Sequence, residues 1–289
     1  MTLDNTLDIG AAAQLACLLE ASAPKPGNVS PGRHFADARY EDFLASAAAI
    51  GSPLAGAGTR SVGATIRLAI DATAAWTRSN TNLGIVLLLS PLARAAALRA
   101  SGDLRDSLRG VLAGMTIDDA RDVYAAIRCA APGGLGRAES QDVADEPTVT
   151  LLEAMRLAAD RDTIAREYVT TFEVTFERSA PALTRARCDG LSWDDAVVET
   201  FLTVLAEGPD THIARRGGGA LAASVSQRAA DVLAAGGVRS SQGRQDVEAF
   251  DRSLRDHVNN LANPGTTADL TAAAIFVVLI NGGWHAAAR

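Results

Sequence analysis

Lysine is almost missing from this chain. Of its 27 basic residues 26 are arginine, and the single ammonium belongs to Lys25. A sequence that uses arginine wherever positive charge is merely needed, yet keeps one lysine, points to a place that wants a compact point charge with three rotatable donors. Aromatics are scarce too: 4% of residues against 48% hydrophobic overall, so the core is built mainly of Ala and Leu and suits helices packed closely on small side chains. The three cysteines, Cys17, Cys129 and Cys188, form no CxxC pair, which excludes a structural zinc and a disulfide framework and indicates a reduced, cytoplasmic protein. The four histidines make no HxH or HxxxH pair. His34 and His212 fall in candidate loops, while His257 and His285 read as ordinary surface or packing residues. The most apolar stretches, Leu83 to Leu92 and Leu270 to Ile280, fall short of the ~18 residues that a membrane span needs. Met1 to Asn5 is acidic and no basic segment followed by an apolar run succeeds it, so no secretory signal is expected. A net charge of −7 and a pI of about 5.2 argue against binding to nucleic acid or to an anionic membrane. An anionic ligand would have to be met by a local cluster.

Hydrophobic spacing predicts helix after helix with short breaks: an all-α protein of ten or more helices, one large domain over 1–289, around a buried central helix. The segments are Leu7 to Glu20; a short helix from Tyr40, closed by the glycine-rich break Gly51 to Gly58; 60–77; the all-round apolar run from Leu83, which Pro91 interrupts or kinks; 103–114; 117–130; Tyr168 to Phe176; Trp193 to Ala206; and helices near 220–235, 245–260 and 267–280. Thr116 with Asp119 reads as a capping box, Ser192 as a cap, and Asn80-Thr81-Asn82 as cap residues before Leu83. Ala131 to Pro147 is the longest irregular stretch. It carries Pro132-Gly133-Gly134-Leu135-Gly136-Arg137, a glycine run without the Gly-Lys-Ser/Thr ending of a P-loop, and is more often a plain loop.

Three stretches carry candidate chemistry. Pro24-Lys25-Pro26-Gly27-Asn28 is stiffened by two prolines and suits contact with an anionic ligand, against the plainer reading of a surface loop. Pro209-Asp210-Thr211-His212 through Arg215-Arg216-Gly217-Gly218-Gly219 puts a carboxylate, an imidazole and two guanidiniums beside glycines at a helix start. Unpaired N–H groups there favour anions, and an aspartate can hold Mg²⁺ bridging to phosphate. The alternative is a structural Asp210–Arg216 ion pair. Asn263-Pro264-Gly265-Thr266-Thr267-Ala268-Asp269-Leu270 leads into a helix with Asp269 in its first turn, either as a cap or as a second metal carboxylate beside Asp210. No GxSxG, no supported Cys/His pair and no GxGxxG after a strand occurs, so hydrolase and dehydrogenase readings lose support.

Taken in order, Glu20 with Pro24-Lys25-Pro26-Gly27, Asn80-Thr81-Asn82-Leu83-Gly84, Asp210-Thr211-His212 through Arg216-Gly217-Gly218, and Pro264-Gly265 with Ala268-Asp269-Leu270 resemble the triphosphoribosyl-dephospho-CoA synthase family across most of the chain. The resemblance implies an all-α transferase that moves the triphosphoribosyl unit of ATP to the ribose of 3′-dephospho-CoA and releases adenine, and the Asp210 and Asp269 stretches add the expectation of Mg²⁺. It implies phosphate or nucleotide contacts for Lys25, Asn28, Asn80, Arg216, Gly217 and Gly218, metal ligation by Asp210 and Asp269, and catalytic roles for Glu20, His212 and Asn82. The sequence departs from the family pattern at Asn82 and Leu83, where Asn-Thr-His-Lys-Gly is usual; at His212, usually Asn; at Thr266-Thr267, usually a glycine pair; and at Ala64, where an acidic residue is expected. These departures are similar to a branch associated with C1-carrier (tetrahydromethanopterin or methanofuran) biosynthesis and leave the acceptor open. A nucleotide-binding paralogue without transfer activity and a nucleotide hydrolase stand as alternatives, and homo-oligomerisation is undecided.

Overall fold

The computed structural model describes residues 8–99, 102–255 and 260–285. In chain order the α-helices are Ile9–Ser22 (α1), Tyr40–Ala49 (α2), Gly51–Ala55 (α3), Val62–Ala74 (α4), Leu83–Leu98 (α5), Leu104–Ala113 (α6), Ile117–Ala130 (α7) and Leu151–Ala158 (α8). They continue with Thr163–Thr170 (α9), Ala180–Cys188 (α10), Trp193–Glu207 (α11), Thr211–Gly217 (α12), Gly219–Ala234 (α13), Ser241–Arg255 (α14) and Gly265–Ile280 (α15). Among the described residues there is no strand beyond an isolated bridge between Ser30 and Arg33.

Sequence chemistry sets the helix starts. Asp8, Ser61, Asp103, Thr150, Asp162, Ser192 and Asp210 each accept a backbone N–H that the first turn leaves without an intrahelical partner. Thr116 and Asp119 form the expected capping box, and the Asp119 carboxylate also accepts the Gly63 N–H at 2.7 Å, tying α4 to α7. The cap before α5 is Asn80, whose side chain accepts from Leu83 N at 3.1 Å; Asn82 makes no cap bond.

One continuous apolar core runs through the described residues. At its centre lie α5 and α15, apolar on every side, with α15 buried on all but two of its positions and packed against α1, α5, α10 and α11. Pro91 sits inside α5 without ending it. A proline lacks the N–H that would bond the carbonyl four residues earlier, which is that of Leu87. The buried Tyr168 hydroxyl supplies the missing donor at 2.6 Å.

Several expectations need correction. Tyr168 to Phe176 is not one helix: α9 ends where Thr171 and Phe172 both take positive φ (55° and 57°), and a π-helical turn, Val174–Ser179, follows. The buried Glu167 carboxylate explains the interruption, since it accepts N–H bonds from Val174 and Thr175 and the Thr175 hydroxyl, capping the new segment. Burial pushes its pKa up, against those hydrogen bonds. Gly51 to Gly58 is not a plain break but holds α3 and a 3₁₀ turn. Helices α8 and α10 lie where periodicity gave no signal. Leu7, His257 and part of the 245–260 segment lie outside the described residues; His285 is exposed.

Candidate functional site

The Asp210 stretch folds as a short helix, α12, whose cap is Asp210 itself. One carboxylate oxygen accepts Ile213 N at 3.0 Å, and the other accepts both the backbone N and the hydroxyl of Thr267 at 2.7 Å. The first turn of α12 is thereby pinned to the first turn of α15. Burial raises the Asp210 pKa and these bonds oppose the rise. The Asp210–Arg216 ion pair is not formed. Arg216 instead donates to His212 Nε2 at 3.2 Å, and since guanidinium only donates, that nitrogen accepts and the ring proton belongs on Nδ1. His212 rests against Gly265, where a β-carbon would strike the ring. Burial first, then Arg215 and Arg216, pull its pKa down to about 4, so the imidazole is neutral at physiological pH.

Lys25 turns inward. Its ammonium is fully buried, 2.9 Å from Glu20 Oε1, and also donates to the carbonyls of Glu20 and Ala23. Three donors meet three oxygens. The surrounding turn is clamped by residues that sequence patterns did not single out. Asp251 accepts Gly27 N at 2.8 Å and Arg255 Nε at 2.9 Å, Arg255 also donates to the Asn28 carbonyl, and the Asn28 amide donates to Asn263 at 2.5 Å. Gly27, at φ 75°, lies against Leu254 and Pro264, where no side chain would fit. The first and third candidate stretches therefore pack directly on one another.

Asp269 behaves differently from both. No hydrogen bond reaches its carboxylate among the described residues, so it is not the cap that its position suggested. Its oxygens fill the space a β-carbon on Gly84 would need, which accounts for glycine at that position in α5. Burial, then the charges of Glu20, Asp210 and Asp162, hold its proton well above the usual carboxylate range, with Arg215 pulling the other way.

Asp269 lines a cavity of about 890 Å³ between α5, α7, α8, α9, α12 and α15. Its lining combines polar side chains, among them Asn80, Asp162, Asp210, His212, Arg215 and Asp269, with apolar ones, among them Leu83, Leu87, Ile127, Leu151 and Met155. The loop from Pro132 to Val143 forms part of its wall. Of the sequence-selected residues, Asp210, Asp269, His212 and Asn80 line the cavity, whereas Glu20, Lys25, Asn28, Asn82, Arg216, Gly217 and Gly218 do not. Asn82 is buried and donates to Thr73 at 3.0 Å. The glycines lie at the exposed α12–α13 junction, with Gly218 at φ 90°. Missed by the sequence were Arg161 and Asp162, and of the Arg215-Arg216 pair it gave the phosphate contact to Arg216, which does not line the cavity. Asp162 carried a detectable signal as a cap directly before Thr163, but neither Arg161 nor Arg215 has a pattern that separates it from its neighbours.

The fold is an all-helical bundle whose interior cavity gathers carboxylates and guanidiniums from stretches distant in the sequence. The chain belongs to the ATP:dephospho-CoA triphosphoribosyl transferase family, whose sequence model matches residues 6–287. It is similar to a Pseudomonas putida protein named a probable 2-(5″-triphosphoribosyl)-3′-dephosphocoenzyme-A synthase, 36% identical over 106 residues. It is also similar to the Klebsiella pneumoniae 2-(5″-triphosphoribosyl)-3′-dephosphocoenzyme-A synthase, 33% identical over 102 residues. These matches span only 37% and 35% of both this chain and the relative. A crystal structure from Archaeoglobus fulgidus, of a protein assigned as a triphosphoribosyl-dephospho-CoA synthase, superposes with a TM-score of 0.64 at 28% identity, covering 83% of this chain and 99% of that one. No described helix is long and apolar enough to cross a membrane.

Proposed function

We propose that this chain transfers the triphosphoribosyl unit of ATP to a hydroxyl of 3′-dephospho-CoA or a related cofactor precursor, releasing adenine. The observation that carries the reading is Asp269, a carboxylate that no hydrogen bond reaches among the described residues, lining a large cavity and under the charges of Glu20, Asp210, Asp162 and Arg215. A carboxylate crowded by like charge gains most from a cation. No group of three or more His, Cys, Asp or Glu among the described residues is arranged to hold a metal, but Mg²⁺ needs only one or two protein carboxylates when phosphate oxygens and water complete its shell. Asp269, with Asp210 or Asp162, fits that need, and bound Mg²⁺ would offset phosphate charge.

The reaction forms a bond from the acceptor oxygen to ribose C1′ and breaks the C1′–N9 bond, whose electron pair leaves with adenine; the hydroxyl proton ends on the base. Positive charge grows on the ribose, so rigid placement of both partners supplies much of the rate. Asn80 at the cavity edge is suited to orienting the ribose. His212, with Nε2 already occupied by Arg216, is better placed to hold Arg216 and the Gly265 turn than to take a proton. Glu20 serves through its pairing with Lys25.

Incubation with ATP, Mg²⁺ and candidate acceptors, with chromatographic detection of adenine, tests the reading. Release should require both acceptor and metal, and Asp269→Asn should lower it by about a hundredfold or more while circular dichroism stays unchanged. Unaltered release in that variant contradicts the assignment. Leu83, which presents an apolar side chain to the cavity where the family pattern has lysine, favours a second reading in which the acceptor is less anionic or the transfer step is lost. ATP binding without adenine release would identify a non-catalytic paralogue, and release into water alone a hydrolase.

A further inference from the structure

A nucleotide triphosphate needs cations with donors to spare, and Lys25 has none left after bonding Glu20 and Ala23. Unspent donors lie elsewhere, in the corner where the turn between α8 and α9 meets α12. Arg161 lines the cavity, and its guanidinium makes no hydrogen bond or ion pair among the described residues. Its backbone is fixed, because Arg161 N and Asp162 N both donate to the Ala158 carbonyl at 3.0 Å. Arg215 also lines the cavity. It spends one N–H on Asp162, at 3.3 Å, and its Nε is buried with no partner. A buried donor left unpaired is costly and calls for an explanation, of which an anionic ligand is one. The loop carrying Gly134, at φ 76°, packs against the stems of Arg216 and Arg215. Asp162 sits between the two arginines, next to one in sequence and paired with the other.

We propose that Arg161 and Arg215 form the polyphosphate-binding subsite, gripping the triphosphate on the side of the cavity next to the Asp162 and Asp269 carboxylates. The assignment rests on the nucleotide reading above and adds to it a position and two residues. Guanidinium forks match phosphate oxygens in pairs, and carboxylates beside them leave room for a cation that bridges to the same phosphates. The nucleoside end of the ligand then points away from this corner, along the cavity.

Titration calorimetry on the full chain with Mg²⁺ present tests this, using inorganic triphosphate, ATP and adenosine as probes. Arg161→Ala removes an exposed side chain that makes no hydrogen bond or ion pair among the described residues, and Arg215→Lys keeps the charge and the Asp162 partner while losing the fork. Arg161→Ala should bind triphosphate and ATP about tenfold or more weakly, Arg215→Lys should weaken both severalfold, and adenosine affinity should stay at the wild-type value. Triphosphate affinity within twofold of wild type in both variants overturns the subsite, as does failure of the wild-type chain to bind triphosphate. Adenine release, measured in parallel, separates the two ideas. Release with undiminished triphosphate affinity in both variants removes the subsite and leaves the transferase reading standing; Arg161-dependent binding without release supports the subsite and removes the transferase reading.

Discussion

Two basic centres lie on neighbouring parts of this molecule and have opposite characters. Around Lys25 every donor meets an oxygen, water is shut out, and Asp251 and Arg255 brace the turn from outside. In the corner formed by Arg161, Asp162 and Arg215, donors outnumber acceptors and face a cavity. The first arrangement holds the chain together; the second holds charge in reserve for something that is not protein. A rare residue type is thus a poor guide to which charge meets the ligand, because rarity is as well explained by a buried pair that only a compact ammonium fits.

The sharpest way to break this comparison is to remove the sealed cation. Lys25→Met leaves Glu20 buried without its partner and should cost about 3–5 kcal/mol, read as a lowered denaturant midpoint, with Glu20→Gln on the same background restoring part of the loss. Arg161→Ala should change stability by no more than about 0.5 kcal/mol. Equal stability losses in the two would erase the distinction. Two structural residues come next. Asp210→Ala strands the donors of Thr267 and Ile213, and Tyr168→Phe strands the Leu87 carbonyl opposite Pro91; each should cost roughly 1–3 kcal/mol by denaturant unfolding. An unchanged midpoint for Tyr168→Phe would mean that Leu87 finds another donor.

A further effect concerns pH. His212 should titrate near 4 in nitrogen-detected NMR, with its proton on Nδ1 at neutral pH. An imidazole whose pKa is lowered by folding binds fewer protons than in the unfolded chain between about pH 6.5 and 4. Its contribution is therefore fully favourable above that window and declines as pH falls through it. His212→Asn should flatten that part of the stability profile, and a wild-type titration near 6.5 would contradict the buried, arginine-flanked environment.

Much of the fold was legible because helical signals are local. Caps at Thr116 and Ser192 and the all-round apolar run from Leu83 read directly as helix starts and a buried centre. The break at Thr171 was not, since it depends on Glu167 turning back to cap a later segment. Nor was the passage of α5 through Pro91, which rests on a tyrosine 81 positions from the carbonyl it serves. At the site, sequence singled out Asp210, His212 and Asp269 through glycines and turns. It could not tell that Asp210 spends its oxygens on backbone while Asp269 spends none, because that difference lies in the packing of α12 on α15. Arg161 was hidden by abundance: in a chain with 26 arginines, only three-dimensional placement brings it to the cavity, and only placement separates Arg215, which lines the cavity, from Arg216, which does not.

The most direct measurement is a crystal structure of the chain with ATP and Mg²⁺. The triphosphate should lie against Arg161 and Arg215 with the cation at Asp269, and Lys25 should remain paired with Glu20. A nucleotide seated instead at the Gly217–Gly219 junction, with Lys25 swung out to its phosphates, would contradict the account.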